Sequence, residues 1–97
     1  MALKIEWAPE AISSYNSIID YLTEKWTERE ADRFAEKVNA TLRILATGKV
    51  RFRYSAKKNI YEVLVTKQNL LVYRMNAENI QLLAFFDTRQ HPKKKKI

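Results

Sequence analysis

Leu3, Ile5 and Trp7 alternate with Lys4 and Glu6, the two-residue period of a short half-buried strand over residues 3–7. Pro9 follows, a residue suited to the first turn of a helix because its missing N–H would be unpaired there. Ile12, Tyr15, Ile19, Leu22 and Trp26 then recur at spacings of three and four, the stripe of an amphipathic helix. Thr27-Glu28-Arg29-Glu30 reads as a capping box: the threonine hydroxyl accepts from the third helical amide, and Glu30 reaches back. A second stripe runs through Ala31, Phe34, Ala35, Val38, Leu42 and Leu45 and stops at Thr47-Gly48. The single glycine of the chain thus stands where a helix most often needs a left-handed residue after its C-cap. Two such helices joined by a tight break predict an antiparallel hairpin.

After Gly48 the period falls to two. Arg51-Phe52-Arg53-Tyr54 alternates charge and aromatic and predicts an edge strand. Residues 60–65, 70–75 and 80–87 are apolar strands separated by the polar turns 66–69 and 76–79, an antiparallel meander. Neither layer buries its apolar side alone, so the hairpin must cover one face of the sheet. The prediction is an α+β fold of order β-α-α-β-β-β-β, a helical hairpin packed on one face of a curved antiparallel sheet. The pattern assigns residues 1–92 to a single domain and 93–97 to a basic tail.

Parity then distributes the strand residues between two faces. Ile80, Leu82, Ala84 and Phe86 form a uniformly apolar set, expected under the helices. Gln81, Leu83, Phe85 and Asp87 form the mixed set, expected with Arg74 on a partly solvated face. Arg53, Arg74 and Arg89 are expected to converge there as a groove of guanidinium donors. The competing reading is structural: Arg74 pairs with Asp87 or Glu62 across strands. Phe85 and Phe86 are both expected in or near the core.

Composition narrows the functional classes. Ninety-seven residues with 46% hydrophobic and 30% charged positions describe one ordinary globular domain. Zero cysteines exclude a disulfide scaffold, a thiolate zinc site and a cysteine nucleophile. One histidine and scattered carboxylates offer no metal-ligand spacing. No cofactor or metal is expected. No apolar run approaches the ~20 residues that span a bilayer, and the first residues lack signal-peptide grammar. A cytoplasmic protein without a membrane partner is expected. The net charge of +7 points either to an anionic partner or to a solubilising surface, and it is asymmetric: most acidic residues precede residue 37. Lys93–Lys96 reads as a mobile, solvated tail because consecutive like charges repel.

Four segments in order, "IEWAPEAISSYNSIIDYL", "TEREADRFAEKV", "LLVYRM" and "FFDTRQHP", make the chain resemble the RelE/ParE family of bacterial type II toxin–antitoxin toxins, also known as plasmid stabilisation proteins. The resemblance runs nearly to Pro92. It implies a helical hairpin on a curved antiparallel sheet, and a growth inhibitor neutralised by a cognate antitoxin. It also leaves two mechanisms open: RelE-like mRNA cleavage on the ribosome, or ParE-like inhibition of DNA gyrase without cleavage. For the first, the resemblance offers Arg74 and Arg89 as phosphate-gripping, catalytic arginines and His91 as acid or base. The chain departs from the family where Tyr61 stands in place of a frequent strand arginine, and at His91, where relatives often carry another polar residue. Those departures and the long hairpin, with Trp26 at its turn, favour the ParE-like reading. Arg53, Arg74 and Arg89 remain the phosphate-binding candidates. The expected partners are an acidic, partly disordered antitoxin segment, with hetero-oligomers following from it, and either gyrase or the ribosome with its mRNA. A reading of another class is a plain nucleic-acid-binding module, with Tyr54, Tyr61 and Tyr73 stacking bases between arginines.

Overall fold

The computed structural model describes residues 2–90. His91 and the Lys93–Lys96 run lie outside the described residues. The order is β1 (Lys4–Trp7), α1 (Pro9–Lys25), α2 (Glu28–Ala46), β2 (Arg53–Ser55), β3 (Ile60–Leu64), β4 (Asn69–Met75) and β5 (Asn79–Asp87). Two helices pack on one five-stranded sheet of order β1-β5-β4-β3-β2.

The local signals behave as their chemistry requires. Pro9 opens α1 with Ala8 as its N-cap residue, and the amides of Ala11 and Ile12 turn back to the Ala8 carbonyl. The Thr27 hydroxyl accepts from the Glu30 amide at 3.0 Å and starts α2. Only that half of the expected capping box forms: the Glu30 carboxylate instead accepts from Arg89. Gly48 has φ +71°, just past the Thr47 C-cap, and a Cβ there would sit 3.4 Å from the Leu3 side chain. The Leu3 amide donates to the Ala46 carbonyl at 2.7 Å, tying the first strand to the end of the hairpin.

The meander from β2 to β5 is antiparallel, but β1 joins β5 in parallel, Lys4 opposite Asn79 and Trp7 opposite Leu82, so the sheet is mixed. No short turn connects these two strands. The chain runs through the hairpin and three further strands between them, and a long connection permits parallel pairing. Past Leu82 the free edge of β5 passes from β1 to α1. There the Ala8 amide donates to the Leu82 carbonyl, and the Phe85 amide donates to the Ser14 hydroxyl, both at 2.9 Å.

At that handover β5 carries a bulge. Val72 lies opposite Ala84 and Tyr73 opposite Leu82, so Leu83 has no partner on β4. One unpaired residue reverses the parity of everything beyond it. Ile80 and Leu82 face the helices as expected, but from there Phe85 and Asp87 do so in place of Ala84 and Phe86. Phe86, expected near the core, is 44% exposed. The core joins Ile18 and Leu22 of α1 and Phe34, Val38 and Leu45 of α2 to Val63, Leu71, Tyr73, Ile80, Leu82 and Phe85. Phe85 is its aromatic hub, within 5.5–6.1 Å of the Trp7, Tyr15 and Phe34 ring centres. Each such pair adds about 0.5–1.5 kcal/mol beyond the buried area.

Candidate functional site

The sheet face turned away from the hairpin carries side chains in rows that cross the strands. One row is apolar: Leu64 lies opposite Leu70, and Leu70 opposite Phe86. The next holds Arg53, Glu62, Val72 and Ala84, and the next Arg74, Gln81 and Glu6. The face therefore grades from hydrocarbon to charge. Over the apolar end runs a groove of about 560 Å3, walled on one side by Ser13, Ser14 and Ser17 of α1. Leu64, Leu70 and Phe86 line it with Arg53, Glu62 and Lys67. Leu64 and Phe86, at the two ends of the row, are 65% and 44% exposed, with Leu70 between them. Apolar side chains gathered in a cleft mark a place where something docks.

The three arginines do not converge. Arg53 lines this groove. Arg74 shares the face but occupies a separate, smaller cleft of about 290 Å3 with Glu6, Asn59 and Gln81, and its Nε donates to the Asn59 carbonyl at 3.3 Å. Neither Asp87 nor Glu62 pairs with it. Arg89 has left the face altogether. Its Nη2 donates to Asp87 Oδ2 at 3.0 Å and its Nη1 to Glu30 Oε1 at 3.4 Å, while the guanidinium carbon lies 5.0 Å from the centre of the Trp26 ring. Burial would lower the Arg89 pKa, but the hydrogen bond and charge of Asp87, and then those of Glu30, outweigh it and hold the pKa above its ordinary value. The Asp87 side chain is fully buried and also accepts from Asn69 Nδ2. Tyr21 donates to the Arg89 carbonyl at 3.0 Å, and Gln90 Nε2 to Ser17 Oγ at 2.6 Å. Arg89 is thus the pin of a clamp that fastens the end of β5 to both helices. The bulge explains why: it turned Asp87 inward, and Arg89 followed its counter-ion.

The tyrosines stand on the opposite face from Arg53 and Arg74, since Tyr54, Tyr61 and Tyr73 lie in one cross-strand row on the hairpin side. Tyr61 stacks on Tyr73 at 5.3 Å and meets Tyr54 at 4.8 Å, so the rings satisfy one another. Interleaved tyrosines and arginines on one nucleic-acid platform do not exist here. Periodicity did not single out Leu64, Phe86 and Lys67. Leu64 and Lys67 flank a turn, and the exposure of Phe86 depends on an unpaired residue three positions earlier. Among the described residues, no group of His, Cys, Asp and Glu is placed to hold a metal ion, and no helix is long and apolar enough to cross a membrane.

The family model for the ParE toxin of the type II toxin–antitoxin system parDE matches residues 5–92. The chain belongs to the ParE toxin family. No curated protein matches it in sequence. In fold, this ParE-family chain is similar to the chromosomal ParDE toxin–antitoxin system from P. aeruginosa, with TM-score 0.70 and 14% identity over 89% of this chain and 96% of the other. It is also similar to the YoeB dimer from Staphylococcus aureus, with TM-score 0.63 and 15% identity over 89% and 97% of the two chains. A third likeness is to the E. coli DinJ-YafQ toxin–antitoxin complex, with TM-score 0.62 and 8% identity over 93% and 97%. At these identities the likeness is one of fold. The protein is a toxin of a type II toxin–antitoxin system, and its helical hairpin on a five-stranded sheet is the architecture these toxins share.

Proposed function

We propose that this toxin stops growth by binding a protein target, DNA gyrase, without cutting nucleic acid, and that a cognate antitoxin neutralises it. The observation that carries the proposal is the open-face groove, where the Leu64–Leu70–Phe86 row, exposed at Leu64 and Phe86, lies beside Arg53 and Lys67, with Glu10 and Glu62 also on the lining. An apolar strip with cations at Arg53 and Lys67 on a margin of mixed charge is suited to an amphipathic segment that carries carboxylates opposite them, which gains affinity from the hydrocarbon and orientation from the charges. An antitoxin segment that folds on binding has this chemistry. RNA cleavage would instead need arginines gathered on one phosphate with an acid–base group beside them. Arg89 is engaged by two carboxylates, and Arg74 sits in a different cleft from Arg53. Membership of the ParE family supports the gyrase assignment.

The ribosome-dependent mRNA nuclease is the second reading, supported by the fold likeness to YoeB and YafQ and by the exposed Arg74 on the open face. One experiment separates the two. The purified protein is added to a gyrase supercoiling assay and to a translating extract in which mRNA ends are mapped. Inhibited supercoiling with intact mRNA is expected; cut mRNA with normal supercoiling would overturn the proposal. Leu64→Asp and Phe86→Asp are each expected to weaken antitoxin binding at least tenfold, read by calorimetry, because each puts a charge into the apolar row.

A further inference from the structure

A second cleft, of about 470 Å3, opens on the hairpin side between the first turns of α2 and the β3–β4 turn. Its cations are Arg33 and Lys37 of α2, Lys67 across the gap, and Arg89 at the back. Arg89 is neutralised by Asp87 and Glu30, and among the described residues Glu30 is the only carboxylate lining the cleft. Arg33, Lys37 and Lys67 are exposed and make no salt bridge among the described residues. Arg33 and Lys37 are one helical turn apart, so their Cβ atoms stand about 5–6 Å apart on the same face. Three uncompensated positive charges therefore look into one space. At its rim sits Trp26, which is 50% exposed. The Arg89 guanidinium over the Trp26 ring limits how the indole can turn without covering it.

We infer that this cleft binds a nucleic-acid strand, with Arg33, Lys37 and Lys67 on successive phosphates and the free surface of Trp26 stacked on a base. The composition separates this ligand from an acidic peptide. Peptides that dock on a groove need apolar anchor pockets, and in this molecule those lie on the open face. This cleft offers cations and one half-free aromatic ring, the combination that holds a single strand without reading its sequence. The inference goes beyond the proposed inhibition of gyrase. It gives the toxin a contact to the nucleic acid that accompanies its target, in a cleft on the hairpin side that meets the antitoxin groove only at the β3–β4 turn, where Lys67 lines both.

The test is an anisotropy titration of fluorescent dT12 and U12 oligonucleotides with the full chain at several salt concentrations, alongside tryptophan fluorescence. The Arg33→Ala/Lys37→Ala/Lys67→Ala variant should bind at least tenfold more weakly. The slope of log K against log salt should become shallower by about 2, at ~0.7 per phosphate contact on a single strand. A charge-matched control, Lys49→Ala/Lys57→Ala/Lys58→Ala, should bind as the parent does. Oligonucleotide should quench the parent's fluorescence, and Trp26→Leu should remove the quenching, leaving Trp7 in its aromatic cluster as the unresponsive tryptophan. All substituted residues are exposed, so circular dichroism should be unchanged. The inference is overturned if the triple variant and the control bind alike, if quenching survives in Trp26→Leu, or if a poly-glutamate peptide of equal charge displaces the oligonucleotide at equal concentration.

Discussion

Arg89 holds a buried carboxylate in place, and removal of its guanidinium leaves Asp87 without a cation, held by Asn69 and the backbone amides of residues 89 and 90. Breaking a buried pair from one side strands the other charge, so Arg89→Ala should cost about 2–4 kcal/mol in urea denaturation. Asp87→Asn made together with Arg89→Ala should recover part of that loss, because the only charge then left without its partner is the part-exposed carboxylate of Glu30. Arg53→Ala, at an exposed position, should stay within about 0.5 kcal/mol of the parent. Tyr73 poses the complementary problem. Its side chain is fully buried and its hydroxyl has no hydrogen-bond partner. Burial raises its pKa; the nearby Phe52 backbone favours ionisation but does not reverse the shift, and Tyr15 is raised by burial too. Both phenols stay neutral when folded and ionise more readily once unfolded. Their contribution is whole below about pH 10 and is lost as pH rises through the folded values. Tyr73→Phe should therefore raise stability by about 1 kcal/mol near neutrality, from the unpaired hydroxyl it removes, and should flatten the loss seen in alkaline denaturation.

Among the elements, β5 decides most. Its first half pairs with β1 and its second half leans on α1, and the bulge at Leu83 marks the change of neighbour. Ser14 is the residue that receives the second half: its hydroxyl accepts from the Phe85 amide while donating to the Glu10 carbonyl at 2.7 Å. Ser14→Ala leaves a part-buried amide without a partner, and about 1–2 kcal/mol should be lost. Amide hydrogen exchange should report the change as lost protection at Phe85. The helix boundaries were legible in the chain, because Thr27 caps through its own side chain and Gly48 adopts the one backbone geometry that sets it apart. The fate of Glu30 was not. Its partner is 59 residues away, and a long-range ion pair took the carboxylate that local geometry would have given to the cap.

For the molecule as a whole, the apolar row and the cation-rich cleft lie on different sides, with Lys67 of the β3–β4 turn lining both. The open face carries the apolar row with Arg53, and the hairpin side carries the Arg33–Lys37–Lys67 cleft. Under the proposed docking of an acidic antitoxin, the net charge of +7 would speed encounter from any direction, whereas the Leu64–Phe86 row would govern how long the complex lasts. Association rates measured between roughly 50 and 500 mM salt should accordingly fall by an order of magnitude or more, while dissociation rates change by less than about threefold. An association rate indifferent to salt would remove electrostatic steering from the account.

Element order, both helix ends and the likeness to the toxin family follow from the chain alone, because each rests on residues close together in sequence or on a period that local backbone geometry imposes. Three features belong to the tertiary structure: the parallel seat of β1, the bulge that exchanges Phe85 with Phe86, and the capture of Arg89 by Asp87 and Glu30. All three depend on which distant segment reaches an edge or a buried charge first. A single unpaired residue in β5 moves side chains between faces without altering the hydrophobic pattern in which it is embedded.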